Sequence, residues 1–164
     1  MILFWQLLKW LTKMTRVDFY HLTKAPLEQV LPKLCEKAYS TKKKIKILIG
    51  TEERVEFINS LLWTYNDESF LPHGSKKDGF IKEQPIFISS ELENENDAEI
   101  IILADGAMPN INELNSYERI LNIFDGNNEE DLAKARNYWK DIKNSGFELH
   151  YWQQKDNGSF EQKV

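Results

Sequence analysis

Histidine is the first side chain to question for chemistry, because imidazole binds metals and moves protons near neutral pH. The chain has three, His21, His73 and His150, and they are scattered. None belongs to a His-x-x-x-His or Glu-containing metal motif. Ser69 and His73 have the residue types of a nucleophile and its base. However, Pro72-His73-Gly74 reads as a turn, and no strand–turn–helix elbow surrounds Ser69. Asp105 follows an apolar run, where α/β enzymes often place an acid, but Gly106 comes next and no basic or metal-ligating companion is evident nearby. A turn-forming Asp-Gly is the better reading. Gly50-Thr51-Glu52-Glu53 also follows an apolar run, yet one glycine and two acids would repel a phosphate. Neither G-x-x-x-x-G-K-S/T nor G-x-G-x-x-G occurs. No catalytic residue, cofactor or metal site is expected.

Two stretches have residue types suited to contact with another molecule. The first is Leu61 to Gly74, LLWTYNDESFLPHG, in which Trp63, Tyr65, Phe70, Leu71 and Pro72 gather around a helix end and its loop. Large rigid side chains of this kind dominate interface hot spots. One or two of them are expected to turn inward; an interface is the better reading for the group. The second is Ala135-Arg136-Asn137-Tyr138-Trp139-Lys140-Asp141-Ile142-Lys143. On a helix Arg136, Lys140 and Lys143 make one basic stripe, Lys134 adds charge nearby, and Leu132, Ala135, Trp139 and Ile142 form the neighbouring apolar face. A fixed guanidinium beside an aromatic seam can hold a carboxylate while a ring enters an adjacent pocket. The commoner reading of such a stripe is a solvated face over a buried seam, and composition alone favours it.

The elements that must position these residues alternate along the chain. Residues 17–22 alternate as a strand does, and Pro26 suits a first helical turn. Leu27, Val30, Leu31, Leu34 and Ala38 then give one apolar stripe, with Pro32 expected to kink or shift the helix. Residues 45–50 read as a buried strand, and Thr51 as the cap of a helix that ends near Trp63. Residues 71–84 read as loop, 85–89 as a short strand, 91–97 as an acidic turn, and 99–104 as the clearest buried strand. Residues 119–124 form another strand candidate. A turn and cap at 125–128 lead into a helix with acids in its first turn, lysines in its last and Gly146 beyond. A strand over 147–152 closes the pattern. The fold class expected is α/β: a single domain with a mostly parallel sheet and helices on both faces, Rossmann-like in topology but without nucleotide-binding motifs.

Composition sets the outer limits. The 164 residues suit one domain, and 41% hydrophobic with 29% charged residues is ordinary for a globular protein. The net charge of -5 argues against electrostatic binding of nucleic acid by the whole chain. Cys35 is the single cysteine, so no intrachain disulfide can form and a reducing, cytoplasmic compartment is expected. The first 13 residues, MILFWQLLKWLTK, lack the basic region and cleavage site of a signal peptide and are too short to span a bilayer. Three readings stay open for them: an extension upstream of a start at Met14, a short helix packed on the domain, or a membrane-surface anchor.

The order of motifs resembles the chi subunit of bacterial DNA polymerase III. The matching pieces are Phe19-Tyr20-His21-Leu22, then Leu62-Trp63-Thr64-Tyr65 running into Glu68-Ser69-Phe70-Leu71-Pro72-His73, then Arg119 to Asp125. After them come Ala135-Arg136-x-x-Trp139-Lys140, Gly146-Phe147-x-Leu149 and Tyr151-Trp152-Gln153-Gln154. The resemblance covers nearly all of residues 15–154, the chi-like α/β domain, and leaves 1–14 as an N-terminal extension and 155–164 as a polar tail expected to be disordered. It implies a non-catalytic accessory protein of the clamp-loader assembly that pairs with the psi subunit on one surface. On another it would capture the acidic, Phe-terminated tail of single-stranded DNA-binding protein.

By position, the resemblance implies psi binding by Trp63, Phe70 and Pro72, and Tyr65 and Leu71 of the same stretch are expected to join that partner surface. It implies tail binding by Arg136, Trp139 and Lys140, with Lys134 and Lys143 as added charge. DNA would be met only indirectly, no membrane is involved, and the chain would be a monomer outside the complex. Certain chi proteins carry a further basic residue one turn before the key arginine; here Leu132 stands there, and Lys134 is the nearest substitute. Two alternatives of other classes are a nucleotide-binding α/β enzyme, which needs phosphate donors at the strand ends, and a direct single-stranded DNA-binding module, which needs a basic groove with exposed aromatics.

Overall fold

The computed structural model describes residues 3–4 and 14–164. The readings of the first 13 residues lie outside these, save that Leu3 and Phe4 are exposed. The elements run β1 (Arg16–Leu22), α1 (Leu27–Tyr39), β2 (Ile45–Ile49), α2 (Glu52–Thr64), β3 (His73–Ser75), β4 (Ile86–Ser89), β5 (Ile100–Ala104), β6 (Arg119–Asp125), α3 (Glu129–Lys143), β7 (Glu148–Gln154) and β8 (Phe160–Gln162). They build one sheet in the order β3-β4-β2-β5-β6-β1-β7-β8. Every neighbouring pair is parallel except β7 with β8. Strands buried on both faces need apolar residues throughout, which is why β5 reads Ile-Ile-Ile-Leu-Ala and β2 is buried along its whole length.

Two cores lie on opposite faces of this sheet. Val30, Leu31, Leu34, Cys35 and Ala38 of α1 and Val55, Ile58 and Leu62 of α2 cover one, over Tyr20, Leu22, Ile47 and Ile102. Ala135, Tyr138 and Ile142 of α3 cover the other, over Val17, Phe19, Leu103, Ile120 and Phe124. The period of two within β1 therefore decides what its side chains meet: Phe19 looks to α3, Tyr20 to α1.

α1 runs as one helix through Pro32, which is itself buried. Two expectations are corrected. Residues 71–84 are not all loop. His73–Ser75 form β3, the edge strand, paired parallel to β4, and short 3-10 turns follow at Lys76–Asp78 and Ile81–Glu83. The polar tail is not disordered: residues 160–162 fold back as β8 against β7. There Phe160 meets Tyr20 edge-on at 5.1 Å between ring centroids, and Lys163 N donates to Tyr151 O at 2.7 Å.

Two buried charges are held by networks. Asp18 accepts from Arg16 Nη2 at 2.9 Å, Arg119 Nε at 3.0 Å and Trp152 Nε1 at 2.8 Å, joining β1, β6 and β7. Burial by itself would raise the Asp18 pKa. The hydrogen bonds from Arg16 and Trp152 and the charge of Arg119 outweigh it and hold the carboxyl below its ordinary value. Lys46 lies inside the acidic turn, donating to the carbonyls of Glu91 and Glu93 and to the Glu95 carboxylate at 2.9 Å. Burial lowers its pKa against the pull of Glu95.

Candidate functional site

α3 is the best-specified helix of the chain. Asn128 caps it, its Oδ1 accepting from Glu130 N at 2.9 Å and Asp131 N at 3.1 Å. Glu129, Glu130 and Asp131 fill the positive first turn and Lys140 and Lys143 the negative last one. Burial of Ala135, Tyr138 and Ile142 fixes which way the helix faces. Tyr138 adds a tether, its hydroxyl donating to Pro109 O at 2.6 Å.

That orientation leaves Arg136, Lys140 and Lys143 exposed on one side, above the half-buried Trp139 and Leu132. Trp139 stands edge-on to Phe19 at 5.2 Å and to Tyr151 at 5.7 Å between centroids. Tyr151 in turn lies edge-on to His21 at 5.9 Å, with its hydroxyl 2.6 Å from His21 Nδ1. His21 stacks on Phe124 at 5.0 Å. The result is an aromatic wall, Trp139–Tyr151–His21, drawn from α3, β7 and β1 beside the basic stripe.

Arg136 completes it. Among the described residues it is in no ion pair, yet its charge reaches the wall. The His21 pKa is lowered first by burial and then by Arg136, and the Tyr151 pKa is raised by burial with Arg136 opposing. An unpaired guanidinium beside half-buried rings can take a carboxylate and an aromatic side chain together. His21 and Tyr151 are the members that motif reading missed. The available signal was the period of two: Phe19 and His21 share a face, and Tyr151 is aligned beside Phe19 in the next strand.

Lys134 is not part of this group. Two residues from Arg136, it lies about 200° around the helix. It is paired with Glu130 at 2.8 Å and lines a separate groove with Met108, Pro109 and Asn137.

The second predicted surface is divided by the fold. Trp63 and Phe70 are 54% and 69% exposed, with rings 5.9 Å apart. Pro72 and Tyr65 are half-buried, and the Tyr65 hydroxyl donates to Glu36. Burial, then that carboxylate, pushes the Tyr65 pKa up to about 12. Leu71 turns inward: it is 3% exposed and belongs to the core beneath α1 and α2. His73 is buried against Trp63, ring centroids 4.6 Å apart, with its nitrogens facing Leu71 O at 2.5 Å and Asn59 O at 2.9 Å. Ser69 instead accepts from Asn66 Nδ2 at 3.2 Å, so no Ser69–His73 pair forms.

The other candidates for chemistry resolve into structure. Asp105 takes a left-handed turn conformation at φ 54°, and its carboxylate is paired with Arg54, a cation that arrives from α2 and that sequence proximity could not show. Gly50 is required by a close approach, since a Cβ there would sit 2.3 Å from Asp105 O. His150 is hydrogen-bonded with Glu148 at 2.7 Å and Gln162 at 2.8 Å. Among the described residues no group of three or more His, Cys, Asp or Glu could hold a metal ion. None of their helices is long and apolar enough to cross a membrane.

A family model described as "DNA polymerase III chi subunit, HolC" matches residues 14–150, from the residue before β1's lead-in through the third residue of β7. The chain belongs to the DNA polymerase III chi subunit family. A relative described as "Probable DNA polymerase III subunit chi" from Rickettsia prowazekii (strain Madrid E) is 36% identical over 90 residues. That match covers 55% of this chain and 54% of the relative, so the chain spans about half the length of the curated relative it matches. Within the matched residues, the basic stripe of α3 and the exposed Trp63–Phe70 pair have the makings of docking sites.

Proposed function

We propose that this chi-family chain is a non-catalytic, cytoplasmic accessory subunit that joins the clamp loader to single-stranded DNA-binding protein. In this reading the basic face of α3 captures the acidic C-terminal tail of that protein. Arg136 takes the terminal carboxylate, the last Phe ring enters beside Trp139 and Tyr151, and Lys140 and Lys143 face the tail's acidic side chains. Trp63 and Phe70, flanked by Tyr65 and Pro72, receive the psi subunit, while Leu71 holds the loop in place from inside. The observation that supports the reading best is Arg136 exposed and, among the described residues, without an ion pair beside a half-buried aromatic wall.

The test is a calorimetric titration with an acidic peptide ending in Asp-Phe and a free carboxylate. Micromolar binding that weakens with salt is expected. Amidating the terminus or removing the Phe should each abolish most of it, and equal affinity for the amidated peptide would refute the carboxylate role of Arg136. Co-expression with a psi-type partner, wild type against Trp63→Ala/Phe70→Ala, tests the second surface separately.

The two other classes have less support. The strand-end cleft carries Glu28, Asp105, Asp125 and Asp131, and Asn128 already occupies N–H groups at the start of α3, which disfavours phosphate there. Direct binding of single strands is opposed by the net charge of -5.

A further inference from the structure

A cleft of about 500 Å3 opens over the carboxyl ends of β1, β5 and β6. β1 and β6 are neighbours, and the chain leaves them in opposite senses, β1 to α1 on one face and β6 to α3 on the other. This is the topological switch point at which open parallel sheets take ligands. The volume falls within the roughly 300–1,000 Å3 of ligand sites.

Asn122 lines this cleft and is only 2% exposed. Its Nδ2 is enclosed and has no hydrogen-bond partner among the described residues. The residues aligned with it on either side, Phe19 and Leu103, are apolar and offer none. Buried amides are nearly always satisfied by protein, water or a bound molecule. The unpartnered Nδ2 is a donor, and a peptide carbonyl is the acceptor that would satisfy it.

The walls set the charge. Glu28, Asp105, Asp125 and Asp131 line the cleft against Lys24 and Lys134. Both lysines are drawn to acids outside the lining, Lys24 to Asp156 at 3.5 Å and Lys134 to Glu130 at 2.8 Å. Arg54 is shared by Glu28 and Asp105. Asp125 and Asp131 have no ion-pair partner among the described residues, so the cleft favours a cation.

We propose that the cleft binds a short lysine- or arginine-bearing peptide segment of a partner protein, with Asn122 Nδ2 donating to a backbone carbonyl and Asp125 and Asp131 receiving the basic side chain. The site does not depend on the tail-binding reading: Arg136, Trp139 and Tyr151 do not line the cleft, and Phe124 alone is shared between it and the wall around His21.

The test is a 15N NMR titration of the full chain with the probes acetyl-Gly-Arg-Gly-amide and acetyl-Gly-Lys-Gly-amide. Saturable shifts of the Asn122 side-chain NH2 at millimolar peptide are expected, in the range suited to a fragment of a partner. Acetyl-Gly-Glu-Gly-amide should leave that resonance in place. Asp131→Asn, its folding checked by spectral dispersion, should weaken binding about fivefold by removing one of two screened carboxylates. Asn122→Val should remove the preference for a peptide over a bare cation, its folding checked by the dispersion of the same spectrum. Arg136→Ala should leave the titration unchanged. The proposal is overturned if Asn122 does not shift, if the Glu peptide shifts it equally, or if spermidine competes as well as the peptides, which would make the occupant a free polyamine.

Discussion

Replacing Arg136 with alanine, and Lys134 with alanine in parallel, separates the two sides of α3. A charge-assisted hydrogen bond contributes about 1.5–3 kcal/mol. Arg136 is exposed and its partner would stay partly hydrated, so the lower part of that range applies, roughly 1.5–2 kcal/mol, or about ten- to thirtyfold in Kd. Arg136→Lys keeps the charge but loses the planar fork and should fall between, about three- to fivefold weaker. Lys134→Ala should change binding less than about twofold, because its ammonium is paired with Glu130 and points about 160° away from the basic stripe. Calorimetry with the acidic Phe-terminated peptide at low and moderate salt reads all four proteins, with thermal melts to confirm equal folding. Equal losses for Arg136→Ala and Lys134→Ala would show that general positive charge, not the geometry beside Trp139, drives binding. No loss for Arg136→Ala would refute the reasoning outright.

Phe70→Ala should weaken psi-type partner binding by about 2 kcal/mol or more while moving stability little, since its ring is largely exposed; pull-down and thermal melts check both halves. Leu71→Ala should instead destabilise the fold by about 2–5 kcal/mol, because that side chain is core, and chemical denaturation reads it. Asp18→Asn should lower stability at neutral pH. The native carboxyl has a depressed pKa, so its contribution is present above the unfolded value of about 3.9 and is lost as the pH falls through the lower folded value; the gap between the two melting curves should close in that acid window. In Arg136→Ala the His21 pKa should rise toward its ordinary value, as one of the two influences lowering it is gone while burial remains, and an NMR pH titration of the His21 ring shows it.

Much of the scaffold could be read from local signals that agree with one another. β5 is an unbroken apolar run, and α3 carries an Asn cap, first-turn acids, last-turn lysines and a following glycine, so propensity, charge and pattern point the same way. β3 escaped because it is three residues long and contains Pro-adjacent His73 and Gly74, whose strand state comes only from pairing with β4. β8 escaped because its sequence is polar and its order comes from β7 and from Phe160 resting on Tyr20. The site was half legible. Arg136, Lys140, Lys143 and Trp139 follow from helical spacing, which also separates Lys134 once the angle is taken literally. His21, Tyr151 and the Arg54–Asp105 pair needed contacts between residues far apart in the chain, and no local pattern reports those.

The most direct measurement is a 15N NMR map of the unmodified chain with the acidic Phe-terminated peptide added stepwise. Capture by the α3 face predicts saturable shifts of Arg136, the Trp139 indole N–H and the Tyr151 amide, with the Trp63 indole N–H and Asn122 side chain unmoved. Shifts centred on Trp63 and Phe70, or none around Trp139 at saturating peptide, would contradict it.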